Sequence, residues 1–374
     1  YQGYMIIINN TENNYLSYSN ILWRIIKIND DNSITIISDE PLTYLAYGKD
    51  STYDNSQIKK WLNKTEEDYT GILENNLNKI DTYLQKTTTC IDIVDEVSNQ
   101  ECKESNVHNY ISLLSTTDYA NIGNKESFVN NGTNFYLNNT NSENKVWYIT
   151  EEGKLSTNNG TDIIGIRPVI TIKSNIDYLE GNGTKDKPYT IEKENGLFGG
   201  YVKLGNDIWR IYQVNETEVR LMLNDYLKVN NSNLTYQYSK KNSYYDDYVS
   251  NSIAYYLNRT YLNSLSYKDK IKEVYWPNGI YNKEDYNYIN SLNKEINTKV
   301  ALLSIGNIFL NNELSNYHTM TQSESNGNYI YTIQSNKVYT KQIYQEINVI
   351  PTISIEKELL TKGNGTIDSP YEME

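Results

Sequence analysis

The side chains able to do chemistry are few, and the rarest type is the most informative. Only five of the 374 residues are Arg, against 29 Lys. A planar guanidinium does what an ammonium does not: it grips carboxylates and carbonyls in a fixed fork and stacks on aromatic faces. Three of the five, Arg24, Arg167 and Arg210, lie in segments that recur along the chain. Trp23-Arg24 sits in Ile21-Leu-Trp-Arg-Ile-Ile26, Trp209-Arg210 in Asp207-Ile-Trp-Arg-Ile-Tyr212, and Arg167-Pro168 opens a β-branched run. The expectation is a structural role, with the guanidinium stacked on the neighbouring indole and bridging carboxylates. Asp39 or Glu40 would serve in the first half and Asp225 in the second; ligand recognition is the alternative.

Catalytic constellations are thin. Asp30-Asp31, Asp39-Glu40 and Asp246-Asp247 are acid pairs of the kind a glycosidase uses. In a chain with 47 acidic residues, solvated turns are the expected outcome. Ser56-Gln-Ile-Lys59 spells Ser-x-x-Lys but has no Lys-Thr-Gly partner, and Ala254 stands where the second half would repeat the Lys. There is no Gly-x-Ser-x-Gly, phosphate-binding loop or His-Glu-x-x-His. His108 and His318 fall on opposite sides of the recurring Leu-Leu-Ser block, so both are expected at surfaces or in turns. Asp30, Asp31 and Asn32 offer oxygens without EF-hand spacing. No catalytic, cofactor or metal residues are assigned. Cys90 and Cys102 have no His or further Cys at zinc spacing. A disulfide closing a short acidic loop is preferred, with two free thiols as the alternative.

The elements that must position these residues occur twice. Gly181-Asn-Gly-Thr-Lys-Asp-Lys-Pro-Tyr189 is answered by Gly363-Asn-Gly-Thr-Ile-Asp-Ser-Pro-Tyr371, seven matches in nine. Asn55-Ser-Gln-Ile-Lys-Lys-Trp-Leu-Asn63 resembles Ser250-Asn-Ser-Ile-Ala-Tyr-Tyr-Leu-Asn258. Leu113-Leu-Ser115 matches Leu302-Leu-Ser304, and Ile166-Arg-Pro-Val169 matches Val349-Ile-Pro-Thr352. The order is the same in both halves, which predicts two homologous domains, 1–194 and 201–374, joined by a glycine-rich linker at 195–200. Each reads as α+β. Two β-branched runs flank a polar turn over 23–38 and again over 201–222, giving hairpins. Asn55 or Ser56 caps a helix with Ile58, Trp61 and Leu62 on one face; Ile253, Tyr256 and Leu257 repeat it. A second helix is predicted over 69–84 from Leu73, Leu77, Ile80 and Leu84, with a weaker counterpart over 265–274.

A net charge of −13 excludes a surface built to neutralise nucleic-acid phosphate. No apolar run is long enough to span a membrane. Hydrophobic residues at 38% suffice for a core. Tyr outnumbers Phe 37 to 4. A buried phenol needs a hydrogen-bond partner, so many Tyr are expected at surfaces. Tyr236, Tyr238, Tyr244 and Tyr245 fall in a stretch with few aliphatics, read as an exposed loop that contacts protein or glycan. A loop shaped by AT-rich codon bias is the competing reading.

The recurring blocks resemble a family of exported and surface proteins of AT-rich Gram-positive bacteria and their relatives, often with a type IV pilin-like N-terminal segment. The resemblance rests on Trp23-Arg24, residues 55–63, Leu113-Leu-Ser115, Arg167-Pro-Val169 and the closing 181–189 block. The second half departs from it, with Ile350 for the Arg and Tyr256 for the helix Trp. The family is similar to C-type-lectin-like folds, which implies two twisted antiparallel sheets with one or two helices each. The motif that C-type lectins use for calcium-dependent sugar binding is absent; Glu40-Pro41-Leu42 comes nearest.

Together these observations imply a non-enzymatic extracellular or cell-surface module, displayed as a pilin-like or appendage subunit. Its partners would be other protein subunits or cell-surface glycans. The alternatives are a secreted carbohydrate-binding adhesin and a cell-wall hydrolase. A start at Tyr1 rather than Met fits a leader already removed or a fragment of a longer chain. Thiol titration of the unfolded, unreduced chain is expected to find essentially no free thiol; two free thiols would withdraw one support for export.

Overall fold

A computed structural model describes residues 13–48, 52–67, 70–97, 102–103, 107–122, 128–277, 280–282, 287–289, 295–323 and 327–373. The chain divides into two compact units, Tyr1–Gly196 and Leu197–Glu374. Strand dominates both, with short helices, an α+β architecture. Cys90 and Cys102 are bonded, their Cα atoms 5.7 Å apart.

In unit 1 the hairpin Ile21–Ile28 and Ile34–Ser38 forms the centre of a six-stranded sheet. Its order is Tyr189–Thr190, Tyr15–Tyr18, Ile21–Ile28, Ile34–Ser38, Val169–Ile172, Ile111–Ser112. A second sheet runs Leu155–Asn158, Val146–Ile149, Phe135–Thr140, Ile164–Ile166, Thr43–Leu45. Alternating side chains of the two sheets meet in one core, where Ile26, Ile37 and Val169 pack with Phe135, Leu137 and Ile149. Ser56 caps the helix Gln57–Leu62, which buries Ile58, Trp61 and Leu62.

Unit 2 has the same order. Its first sheet runs Tyr371–Met373, Tyr201–Leu204, Asp207–Val214, Glu218–Leu223, Pro351–Glu356, Val300–Leu302, with Leu360–Lys362 added outside. Its second runs Lys337–Gln342, Tyr329–Gln334, Tyr317–Gln322, Glu346–Asn348, Thr235–Gln237. Details agree as well. The register slips at Ile25/Lys27 in one hairpin and at Ile211/Gln213 in the other. The Asn63 amide exchanges two hydrogen bonds with the Ile111 backbone, of 2.8 and 3.1 Å. Asn258 does the same with Val300, at 2.8 and 2.9 Å. In the closing turns Gly181 and Gly363 have φ of +104° and +81°, and a Cβ would fall 2.0 or 1.9 Å from the Pro188 or Pro370 carbonyl oxygen. Only glycine fits there.

Three expectations need correction. Of the helix expected over 69–84, one turn forms, Ile80–Tyr83; Tyr69 lies outside the described residues. Gly71 at φ +68° and Lys79 at φ +45° interrupt the right-handed path, although Leu73, Leu77 and Leu84 are buried as their periodicity requires. The counterpart over 265–274 is likewise a single 3-10 turn, Lys268–Lys270. Tyrosines such as Tyr248, Tyr275 and Tyr344 are exposed as expected, but many others are internal, with backbone carbonyls serving as their acceptors. Tyr18 donates to Asn78, Tyr47 to Asn138 and Tyr245 to Val300, each at 2.8 Å.

His318 is the third correction. It lies on the strand Tyr317–Gln322 and is fully buried, while His108 is exposed. Its Nε2 lies 2.9 Å from the Tyr236 carbonyl, and Tyr238 packs on its ring. Burial pushes its pKa down from 6.5 to about 4. The unfolded chain takes up this proton near pH 6.5 and the folded chain only near pH 4. His318 therefore favours folding above pH 6.5, and that contribution is lost as pH falls towards 4. Urea unfolding of unit 2, followed by Trp fluorescence, is expected to lose less stability between neutral and acid pH in His318→Gln than in the parent. Equal losses would show that another group sets the acid limit.

Candidate functional site

The strand-borne Arg residues come first, because they decide what is frame and what is site. Residues 23 and 24 point to opposite sheet faces, so Arg24 cannot stack on its neighbouring indole. It lies over the Tyr15 ring instead, 3.9 Å from its centre, and pairs with Asp39 at 3.5 Å. Arg167 is fully buried over Phe135, with Nε donating to the Ser38 carbonyl at 2.9 Å and a second nitrogen donating to the Val129 carbonyl. Burial lowers its pKa to about 10, opposed by Asp39 and Glu40. Glu40 is half-buried and rises to about 7, from burial first and then from Asp39. Asn131 donates to the Asp39 carbonyl and to Glu40. Arg24, Asp39 and Arg167 are all sealed from solvent, so this cluster is a structural clamp.

Unit 2 lacks the clamp as a set. Strand register places Ile350 at the position of Arg167, and backbone pairing places Asn224 at that of Asp39. Arg167 and Asp39 are thus both replaced, while Arg210, the counterpart of Arg24, is kept. Arg210 instead donates to the carbonyls of Gly199 and Leu310, at 3.1 and 2.7 Å, and lies over Tyr201. Asp225, expected to hold Arg210, is bound by Lys228 at 2.5 Å.

Two departures from the shared frame open a cavity of about 690 Å³ in unit 2. Residues 39–42 suffice to link Ile34–Ser38 to Thr43–Leu45, whereas residues 224–234 link Glu218–Leu223 to Thr235–Gln237. The added length forms a small hairpin, Lys228–Val229 with Ser232–Asn233. The capped helix is also different. In unit 1 it ends at Asn63, but in unit 2 the α-helix Ile253–Tyr256 runs on as a π-helix, Leu257–Tyr261. Its hydrogen bonds span five residues, which turns Tyr256 and Tyr261 towards the same side. Both line the cavity.

The cavity walls also include Tyr226, Tyr267, Asp207, Asn224, Asp225, Lys228 and Ser264. Tyr267 donates to Asp207 Oδ2 at 2.6 Å and accepts from Trp209 Nε1 at 3.2 Å. Burial, followed by the neighbouring Tyr261 and Asp207, raises its pKa far above the ordinary phenol value. Lys228 holds Asp225 below the usual carboxylate range. Tyr226 is fixed by Ser315, donating to its carbonyl at 2.9 Å. Tyr256 packs against Tyr236 with ring centres 5.1 Å apart. The result is a concave, aromatic surface edged by amide, hydroxyl and carboxylate groups, within the size range of small-ligand sites.

The four tyrosines expected in an exposed loop divide. Tyr238 and Tyr245 are core residues, and Tyr236 is a half-buried strand residue behind Tyr256. Only Tyr244 is largely exposed, at 52%. Tyr238 and Tyr245 go inward because each hydroxyl reaches a carbonyl, of Met320 and of Val300. Sequence reasoning missed Asp207, Tyr226, Tyr261 and Tyr267. A signal was present: Arg24 and Arg210 are 186 residues apart but Asn63 and Asn258 are 195 apart, so an insertion had to lie between them. No family model, curated protein or solved structure matches this chain.

The clamp yields a test of its own. Arg167→Ile alone takes one buried guanidinium from beside Asp39 and Glu40, leaving Asp39 with Arg24, and should cost about 3–5 kcal/mol. The double variant Arg167→Ile with Asp39→Asn copies unit 2 and should recover part of that loss. Additive losses in a denaturation cycle would refute the coupling.

Proposed function

We propose that the chain is a non-enzymatic recognition module of a bacterial cell surface, and that its second unit binds carbohydrate in the tyrosine-lined cavity. The carrying observation is the cavity itself. Tyr226, Tyr256, Tyr261 and Tyr267 surround it, and Asp207, Asn224 and Ser264 stand at its walls. Sugars present apolar ring faces edged by hydroxyls. Aromatic faces with convergent polar groups suit that chemistry. Export agrees with the Cys90–Cys102 disulfide and with the resemblance to exported proteins. The common strand order and the matched Asn63 and Asn258 contacts favour two homologous domains; that they are C-type-lectin-like rests on the resemblance of the recurring blocks.

The hydrolase reading is the weakest of the three. Acid-catalysed glycoside cleavage needs one carboxyl held protonated beside an ionised one. At the cavity, Lys228 instead favours the ionised form of Asp225. The appendage-subunit reading draws on different residues of unit 2. Tyr244, Tyr248, Tyr275, Tyr339 and Tyr344 are exposed and could meet another copy. No helix among the described residues is long and apolar enough to cross a membrane.

Calorimetric titration of the chain with neutral and amino oligosaccharides from bacterial envelopes tests the proposal. Binding is expected, with Tyr256→Ala weakening it at least tenfold while the unfolding midpoint moves little, since Tyr256 is half-exposed. No binding by any oligosaccharide, together with self-assembly seen in sedimentation, would replace the adhesin reading with the appendage one.

A further inference from the structure

The charges lining the cavity are Asp207, Asp225 and Lys228. Asp225 and Lys228 neutralise each other at 2.5 Å. Asp207 remains. It accepts one hydrogen bond from Tyr267 and forms no ion pair among the described residues. It is half-buried at the start of the strand Asp207–Val214, between the aromatic walls. The corresponding residue of unit 1, opposite Tyr18 as Asp207 is opposite Leu204, is Ile21. The frame therefore does not require a carboxylate at this position.

A carboxylate partly withdrawn from water carries a desolvation cost that a counter-ion offsets. The aromatic rings around it attract cations through their faces. We propose that the cavity selects a sugar bearing a free ammonium group, an amino sugar rather than its N-acetylated form, and that Asp207 is the residue that determines this choice. The inference rests on the carbohydrate reading above. Asp207 would accept from the ammonium through the oxygen that Tyr267 does not use, and Tyr256 and Tyr226 would flank the sugar ring. Anionic saccharides would be disfavoured by the same carboxylate.

The experiment compares calorimetric titrations of the full chain with a glucosamine oligomer and with its N-acetylated counterpart of equal length, at a pH where the amine is protonated. The free amine should bind at least tenfold more tightly. Asp207→Asn keeps an acceptor for Tyr267 and should abolish the preference, bringing the affinity of the free-amine oligomer down to that of its N-acetylated counterpart. Lys228→Met, which frees Asp225, should increase the preference. Thermal unfolding of both variants verifies that the unit remains folded. Equal binding of the two oligomers, or a preference that survives Asp207→Asn, would overturn this inference and leave the carbohydrate reading standing. Failure of both oligomers to bind the parent chain would overturn the two together.

Discussion

The constraint on which the architecture depends is that a core built with Tyr in place of Phe must find acceptors for its phenols. A buried hydroxyl without a partner costs a sizeable share of a domain's marginal stability. Here long-range backbone carbonyls supply many of the partners. Tyr47 reaches Asn138, Tyr136 reaches Asp162, Tyr119 reaches Gly153 and Tyr245 reaches Val300. Each bond joins segments far apart in sequence, so the phenols fix the packing of strands and loops as well as filling space. Tyr47 and Tyr238 occupy matching places and donate to matching carbonyls, those of Asn138 and Met320.

Within that frame the two units spend their differences in separate places. The sheets, the bulged hairpins, the Asn-to-backbone pairs and the glycine turns are common to both. These features satisfy backbone groups that would otherwise be buried unpaired, which leaves little freedom to alter them. Loops and helix ends carry no such obligation. Unit 2 accordingly changes there, by the hairpin at 228–233 and the π-helix Leu257–Tyr261, and its cavity lies where the two changes meet.

The charged clamp of unit 1 shows the same logic in electrostatic form. Arg24, Asp39, Glu40 and Arg167 are tolerable in a dry site only as a group. Unit 2 has Ile350 and Asn224 at two of these positions, and its remaining Arg210 is satisfied by neutral carbonyls. Rarity of Arg in the sequence did point to structural positions. It could not indicate the stacking partners, because those follow from which sheet face each side chain takes and from loops brought in from residues 128–131.

The sequence by itself determined the parts that depend on local pattern. The hairpins follow from β-branched runs around polar turns, the buried helix face from Ile58, Trp61 and Leu62, and the closing turns from glycines that no other residue can replace. The order of recurring blocks carried the common topology, since blocks that preserve their order and composition tend to preserve their pairing. Tertiary structure alone decided the rest. The apolar spacing in the helix expected over 69–84 marked the burial of Leu73, Leu77 and Leu84 correctly but not the helix, because the left-handed Gly71 and Lys79 govern the path and burial alone does not. The inward course of Tyr238 and Tyr245 depended on distant segments that bring a carbonyl within reach of each hydroxyl. Tyr244 did not go inward with them. The groove was hidden for the same reason. Asp207, Tyr226, Tyr256 and Tyr267 come from four separate segments, and only folding brings their side chains to one cavity.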